Sequence, residues 1–258
     1  MKSLIYWLFS TLTIVACVNR NTDQPAGQKL VTPDTTPQVN STDISASTSG
    51  SNEIELPFRI ESDNPGANQS GANPERGTAE FHFKRGLVLY AINNYDEGIL
   101  EFDTTITIDP KLTTAYINRG KGYLHVQNYP KALADFQQAV DLDNKDTTAY
   151  LHLALAHYHL GNLQQCVEAN NEYVRLAPNS ATAYFNRGTA FGKLNDLPKA
   201  IRDFSSAVSI SPKYAEAHFN LGLSYYYSGD TTQACQSWKT AAGLGFEKAK
   251  LVVENYCK

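Results

Sequence analysis

The large apolar residues of this chain of 258 residues fall into two different patterns. From about Thr78 to the C-terminus they recur every three to four residues, which predicts a series of amphipathic helices. Between Val18 and Gly77, Ser, Thr, Asn, Gln, Pro and Gly dominate, and neither a helical nor a strand period is present. So little apolar surface cannot offset the entropy that is lost on ordering. The sequence therefore predicts a helical region that follows a disordered linker at residues 17–77.

The helical region repeats with a period of 34 residues and no insertion. Each period predicts two helices joined by a turn, as in a solenoid whose units stack on their neighbours. Counted from the first helical residue, positions eight and twenty are small, and positions four, eleven and twenty-four mostly carry rings. The small residues let two helices approach closely, and the rings fill the space between them. The predicted repeats are 78–111, 112–145, 146–179, 180–213 and 214–247, with first positions Ala79, Thr113, Thr147, Ala181 and Ala215.

Turn and helix-end signals recur at matching places in these repeats. Four of the turns between the two helices of a repeat hold residue types that tolerate a left-handed backbone. These pairs are Asn93-Asn94, Gly161-Asn162, Asn195-Asp196 and Gly229-Asp230. Pro110, Pro178 and Pro212 follow second helices, where proline ends a helix. Pro130 and Pro198 fall in the first turn of a second helix, where proline is tolerated.

Together, these positions resemble the tetratricopeptide repeat family over about Thr78 to Glu247. The resemblance implies an all-α fold, a right-handed superhelical solenoid of five helical hairpins, which a capping helix at residues 248–258 would close. The third repeat departs from the family pattern, because Cys166, Asn170 and Tyr173 stand at packing positions. We expect its second helix to sit at an altered angle, unless these residues are simply tolerated.

Two cysteines are placed to form a disulfide. Cys235 lies early in the last second helix and Cys257 ends the capping helix, at about equal distances from the turn between them. Antiparallel helices would bring the two thiols together, and an oxidising compartment would let them pair. Cys166 is expected to be a buried thiol that packs as a small apolar residue.

In the tetratricopeptide repeat family the first helices line a concave groove, so the resemblance assigns candidate partner-binding residues. Position six holds Asn118, Asn186 and Asn220, whose amides would pair with the backbone of a bound peptide. The other candidates are apolar, aromatic or cationic: Phe83, Phe185 and Phe219 at position five, Tyr90, Tyr158 and Tyr226 at position twelve, and Lys121 at position nine. For the three Phe residues, packing against neighbouring first helices is the alternative.

The family also contains a clamp for a C-terminal carboxylate, which needs cations at positions five, two and six and an Asn at position nine. In this chain position five is apolar, position two is Thr or Glu, and position nine is never Asn. We therefore expect a mixed apolar and amide groove that takes an extended or helical segment of a partner.

The N-terminus predicts export. One positive charge is followed by about a dozen mostly apolar residues, which are too few to span a membrane but typical of a signal peptide, here residues 1–16. The ending Ile14-Val15-Ala16-Cys17 resembles the lipobox of bacterial lipoproteins. That resemblance implies that Cys17 carries acyl chains that anchor the protein in the bacterial outer membrane. A plain secretory signal with an incidental cysteine is the alternative.

Charge and catalytic motifs narrow the function further. From Thr78 onward the chain holds 17 Lys and Arg against 18 Asp and Glu, so no basic surface for nucleic acid is predicted. His152 and His159 share a helix face and His125 takes the matching place one repeat earlier, but about 10 Å apart they cannot share a zinc ion. No nucleophile with a base, carboxylate pair or phosphate-binding loop is present. The sequence therefore predicts neither an enzyme nor a metal or cofactor site.

Two functions remain after these exclusions. The first is a membrane-tethered scaffold that binds a protein or peptide of the bacterial cell envelope in its groove. The alternative is a lipoprotein that binds a glycan or another small molecule on the aromatic groove. A scaffold should depend on the three Asn residues together, whereas a glycan receptor should depend on exposed Tyr residues and tolerate the loss of the amides.

Overall fold

The computed structural model of the chain describes residues 77–257, and every regular element in that range is an α-helix. We number these helices in chain order. They are α1 (Ala79–Ala91), α2 (Tyr95–Ile108), α3 (Thr113–His125), α4 (Tyr129–Leu142), α5 (Thr147–His159), α6 (Leu163–Leu176), α7 (Ala181–Lys193), α8 (Leu197–Ile210), α9 (Ala215–Ser228), α10 (Thr231–Gly243) and α11 (Glu247–Tyr256).

The helices pack as five consecutive hairpins followed by a single helix. The largest contacts join the two helices of a hairpin, and each second helix also contacts the first helix of the next hairpin. This arrangement confirms the predicted all-α superhelical repeat fold. The last helix, α11, packs on α10 and begins at Glu247, one residue before the predicted start of the capping helix.

The turn inside every hairpin contains one residue with a left-handed backbone, always at position fifteen of the repeat. These residues are Asn93, Gln127, Gly161, Asn195 and Gly229, with φ angles between 58° and 95°. The sequence predicts four of the five turns, because Asn and Gly tolerate positive φ. Gln127 is the exception, since its side chain gives no local preference for this conformation.

Close approach of the two helices depends on position eight of each repeat. In four repeats this residue is Gly, and the ring at position twenty-four packs on it. A Cβ built on Gly120 would lie 2.6 Å from the ring of Phe136, and one on Gly222 would lie 2.5 Å from Trp238. The third repeat has Ala154 and Asn170 at the two positions, so a smaller partner accompanies the added methyl group.

A buried arginine–carboxylate pair joins the helices of the second repeat. The guanidinium of Arg119 donates two hydrogen bonds to Asp135, at 2.9 and 2.6 Å, and a third to Asp103 of the preceding repeat at 2.6 Å. Asp135 is only 4% exposed. The fourth repeat has the same pair, since Arg187 donates to both oxygens of Asp203. These bidentate pairs fix the angle at which the two helices meet.

The repeats without this arginine also lack the carboxylate. Leu153 and Leu221 stand at position seven of the third and fifth repeats, where the second and fourth have Arg. Position twenty-three then holds Ala169 or Ser237 in place of Asp. A leucine and a small uncharged residue thus replace the ion pair in these two repeats.

The C-terminal helix is tied to the last hairpin by a covalent bond. Cys235 and Cys257 form a disulfide, with their Cα atoms 5.5 Å apart. Cys166 is buried in α6. The predicted signal peptide 1–16, Cys17 and the linker up to residue 76 lie outside the described residues. Within the described range, no helix combines the length and apolar character needed to cross a membrane.

We expect the substitution Arg119→Leu to lower the free energy of unfolding by about 3 kcal/mol or more, because it leaves the carboxylate of Asp135 buried without its partner. Adding Asp135→Ala should recover most of that loss, since the pair then reproduces Leu153 and Ala169 of the third repeat. Urea denaturation of the two variants and the parent measures both values. A double variant as unstable as the single one would contradict this account of the ion pair.

Candidate partner-binding groove

The predicted groove residues lie on the first helices of the repeats, α1, α3, α5, α7 and α9. Helices α3 and α5 contact each other, as do α7 and α9. Position-specific burial along these helices shows which of the predicted residues a partner can reach. The accessible set is smaller than the sequence predicts, and it lies mainly on the first three repeats.

Two of the three Phe residues predicted for the groove belong to the core. Phe185 is 1% exposed and Phe219 is 0% exposed. Each is covered by a ring that directly precedes a later helix, α9 or α11: Tyr214 lies 4.9 Å from Phe185, and Phe246 lies 5.0 Å from Phe219, between ring centroids. Phe83 stays half-buried, with its ring edge against Phe102. The packing alternative therefore holds for Phe185 and Phe219.

The three Asn residues at position six also differ in their exposure. Asn118 and Asn220 are half-buried, and their Nδ2 atoms donate to the carbonyl oxygens of Thr114 and Glu216, one turn earlier in the same helix. Their Oδ1 atoms are therefore the groups left to accept a hydrogen bond from a partner. Asn186 is only 5% exposed and is buried with its neighbours in α7. The structure thus leaves two accessible amides where the sequence predicts three.

The three predicted Tyr residues are all half-buried. Tyr90 packs on Phe102 and passes between Gly98 and Gly122, where a Cβ at either glycine would collide with it. Burial raises the pKa of Tyr90. Tyr226 packs at the other end of the groove on Trp238 and Tyr256. Tyr158 packs against the core around the second and third repeats.

Lys121 and His152 lie near each other on adjacent first helices. Lys121 is half-buried on α3, and burial lowers its pKa. The ring of His152 on α5 stacks on Phe136, with centroids 5.2 Å apart and planes 20° apart. Burial and the nearby charge of Lys121 lower the pKa of His152 to about 3. The sequence does not select His152 as a site residue, although it takes position six, the position of the Asn row.

The other two histidines that the sequence brings together are stacked on tyrosines. His125 lies on Tyr95 with centroids 4.1 Å apart, and His159 lies on Tyr129 at 4.6 Å. Each pair joins the second helix of one repeat to the first helix of the next, so these rings support the repeat junctions. In residues 77–257 no three His, Cys, Asp or Glu side chains are grouped so that they could hold a metal ion.

Two family models match the chain. One, described as a tetratricopeptide repeat, matches residues 117–181, and the other, described as a TPR repeat, matches residues 190–229. No curated protein matches the chain significantly.

Solved structures with the same fold are numerous. A crystal structure of MamA matches with a TM-score of 0.60 and 24% identity, over 64% of this chain and 96% of that one. YrrB, described as a TPR protein with an unusual peptide-binding site, matches with a TM-score of 0.60 and 19% identity, over 69% and 93%. A thermophilic TPR protein of Thermus thermophilus matches with a TM-score of 0.53 and 20% identity, over 67% and 100%. At these identities the likeness concerns the fold.

We predict that His152 makes stability depend on pH. Its pKa is about 3 in the folded chain and about 6.5 when unfolded. As the pH falls below 6.5 the unfolded state takes up a proton that the folded state does not, so stability declines toward the folded pKa. His152→Phe keeps a ring on Phe136 and removes this contribution.

The free energy of unfolding, measured by urea denaturation between about pH 6.5 and pH 4, should therefore fall less in His152→Phe than in the parent. His125→Phe, which replaces an exposed histidine that is also stacked, serves as the matched control. Equal slopes for His152→Phe and the parent would contradict the assigned burial of this ring.

Proposed function

We propose that this chain, which belongs to the tetratricopeptide repeat family, holds a segment of a partner protein along the first helices of its first three repeats. The repeats and their likeness to solved TPR proteins support a protein-interaction scaffold, and scaffolds of this kind generally bind rather than catalyse. A peptide-binding site is described for YrrB. We extend that property to this chain as part of the proposal.

The observation that supports this location best is the uneven exposure of the groove. Leu87 on α1 is 41% exposed, and Asn118 and Lys121 on α3 keep part of their surface accessible. On α7, by contrast, Phe185 and Asn186 are buried. A partner segment needs apolar surface to cover and polar groups to orient it. Leu87, Asn118 and Lys121 offer both, and the half-buried Tyr158 adds accessible surface on α5.

The groove carries side chains suited to a peptide. The exposed Leu87 offers apolar area, and the accessible Oδ1 of Asn118 can accept a hydrogen bond from a backbone N–H. The half-buried Tyr90 and Tyr158 are the residues that the alternative function, binding of a glycan or another small molecule, would use. The two functions therefore make different demands on neighbouring residues of the same surface.

Photo-crosslinking in living cells tests the scaffold function. A photoreactive amino acid at Leu87 of the full chain should give one discrete crosslinked protein, because this side chain lies on the proposed binding surface. The matched control is Leu100, which is 62% exposed but lies on the second helix α2. In this cell-based test, Asn118→Ala should weaken the crosslink from position 87, and the double variant Tyr90→Phe with Tyr158→Phe should leave it unchanged.

Equal crosslinking from positions 87 and 100, or a glycan as the only species attached at position 87, would overturn the scaffold proposal. The second of these results would favour the alternative function.

We also propose that the scaffold is tethered to the bacterial outer membrane and works in the cell envelope. The proposal rests on the signal peptide predicted at residues 1–16, the lipobox-like ending before Cys17 and the linker predicted at residues 17–77. A lipid-modified N-terminus with more than one acyl chain would give stable anchoring. The linker would then let the repeats reach partners at a distance from the membrane.

Radiolabelled palmitate should be incorporated into the full chain and should be absent from Cys17→Ser, because the acyl acceptor is then missing. Membrane fractionation of both forms checks the consequence, with the parent in the outer-membrane fraction and the variant released from it. Cys166→Ser provides the control for loss of a thiol elsewhere in the chain. Palmitate incorporation into Cys17→Ser, or into neither form, would refute lipid anchoring at this residue.

A further inference from the structure

Lys121 and His152 leave polar groups unpaired on the wall of the groove. Neither residue forms a hydrogen bond or ion pair within the range 77–257. The two side chains belong to contacting first helices and are close enough for the charge of Lys121 to affect His152. Buried and half-buried polar groups are normally satisfied by hydrogen bonds, so an unpaired pair of this kind requires an explanation.

Lys121 is a cation that has lost part of its water without gaining a carboxylate. Its side chain is half-buried, and the acid whose charge reaches it most strongly is Asp146, the N-cap of α5. Asp146 uses an Oδ1 atom to accept from the backbone N–H groups of Thr148 and Ala149. The ammonium group of Lys121 therefore retains its capacity to donate to an acceptor brought by a partner.

His152 presents a hydrogen-bond donor to the same place. Its ring is held on Phe136, and its Nδ1 atom is buried without a partner in the described part of the chain. A neutral imidazole carries one N–H, and a buried N–H without an acceptor is rarer than an unused acceptor. The proton therefore belongs on Nε2, the ring nitrogen that is not enclosed.

We propose that Lys121 and His152 form a subsite for one carboxylate, supplied by an Asp or Glu side chain of the bound partner segment. The proposal rests on the proposed function and specifies the chemistry of the partner. Lys121 Nζ and His152 Nε2 would each donate to a carboxylate oxygen, and the Lys121 charge would balance the negative charge. The acid enters as a side chain within the bound segment, since accessible groove residues continue beyond the pair to Leu87 on α1 and the half-buried Tyr158 on α5.

A singly charged group fits this subsite better than a phosphate. One cation and one neutral donor match a single negative charge, and the nearby carboxylate of Asp146 would repel a second negative charge. The arrangement differs from the family's clamp for a chain terminus, which uses cations at positions five, two and six. Here the cation is at position nine and position six holds His152.

Selection from a phage-displayed library of random peptides on the full chain tests this subsite. The enriched sequences should share an Asp or Glu at one fixed place between apolar residues. A peptide of this set should bind Lys121→Met about ten to a hundred times more weakly, the effect of losing a hydrogen bond between charged groups. His152→Phe should also weaken binding, although it preserves the stacked ring.

Two matched controls separate recognition from folding. Lys213→Met removes the same charge from an exposed lysine outside the groove and should leave peptide affinity unchanged. Replacing the acidic residue of the selected peptide by Asn or Gln should abolish the difference between the parent and Lys121→Met. A general loss of stability would weaken the binding of both peptides alike. It would therefore not make the effect of Lys121→Met depend on the acidic residue of the peptide.

The possible failures can be told apart. Enriched peptides that bind in the groove, as judged by loss of binding to Asn118→Ala, but lack a fixed acidic residue would overturn the carboxylate subsite alone. Acidic peptides that bind Lys121→Met as tightly as the parent would do the same. No enrichment of any peptide, or enrichment that is indifferent to Asn118→Ala, would overturn the proposed groove function itself.

Discussion

Four of the five hairpins are built on one close contact, in which a ring of the second helix lies directly on a glycine of the first helix. A Cβ on Gly120 would approach Phe136 to 2.6 Å, so these two helices can take their separation only with glycine there. This separation determines which face of the first helix remains open as groove wall. Because Phe136 also supports His152, the contact that holds the second repeat together also positions a polar group of the groove.

A second pair of positions, seven and twenty-three, also varies together across the two helices of a hairpin. Arg at position seven is accompanied by an acid at position twenty-three, and Leu is accompanied by Ala or Ser. The sequence alone contains this correlation, but it is visible only when positions are compared in pairs. The third repeat follows the same rule at positions eight and twenty-four, where Ala154 and Asn170 replace Gly and a ring. Asn170, one of its departures from the family pattern, is therefore accompanied by a change at Ala154.

Periodicity predicts the helices, the small and aromatic packing positions and four of the five left-handed turns, because each is encoded by residues close in sequence. Gln127 adopts φ 58° without a local preference, since the same hairpin geometry imposes that conformation in every repeat. Burial of the predicted groove residues could not be derived in this way. The burial of Phe185, for example, depends on Tyr214, which leads into the first helix of the next repeat.

The first helices carry polar groups on two sides, one facing the second helix of the hairpin and one forming the groove wall. The two sides differ in whether these groups have hydrogen-bonding partners within the chain. Between the helices of a hairpin, a buried charge such as Asp135 is satisfied by two hydrogen bonds from Arg119. On the groove wall, Lys121 is half-buried without such a partner, and the ring of His152 forms no hydrogen bond within residues 77–257. Burial of polar groups costs desolvation free energy in both places, but only between the helices of the hairpin do hydrogen bonds within the chain offset that cost. The proposed carboxylate of a partner would offset this cost on the groove wall, through Lys121 Nζ and His152 Nε2.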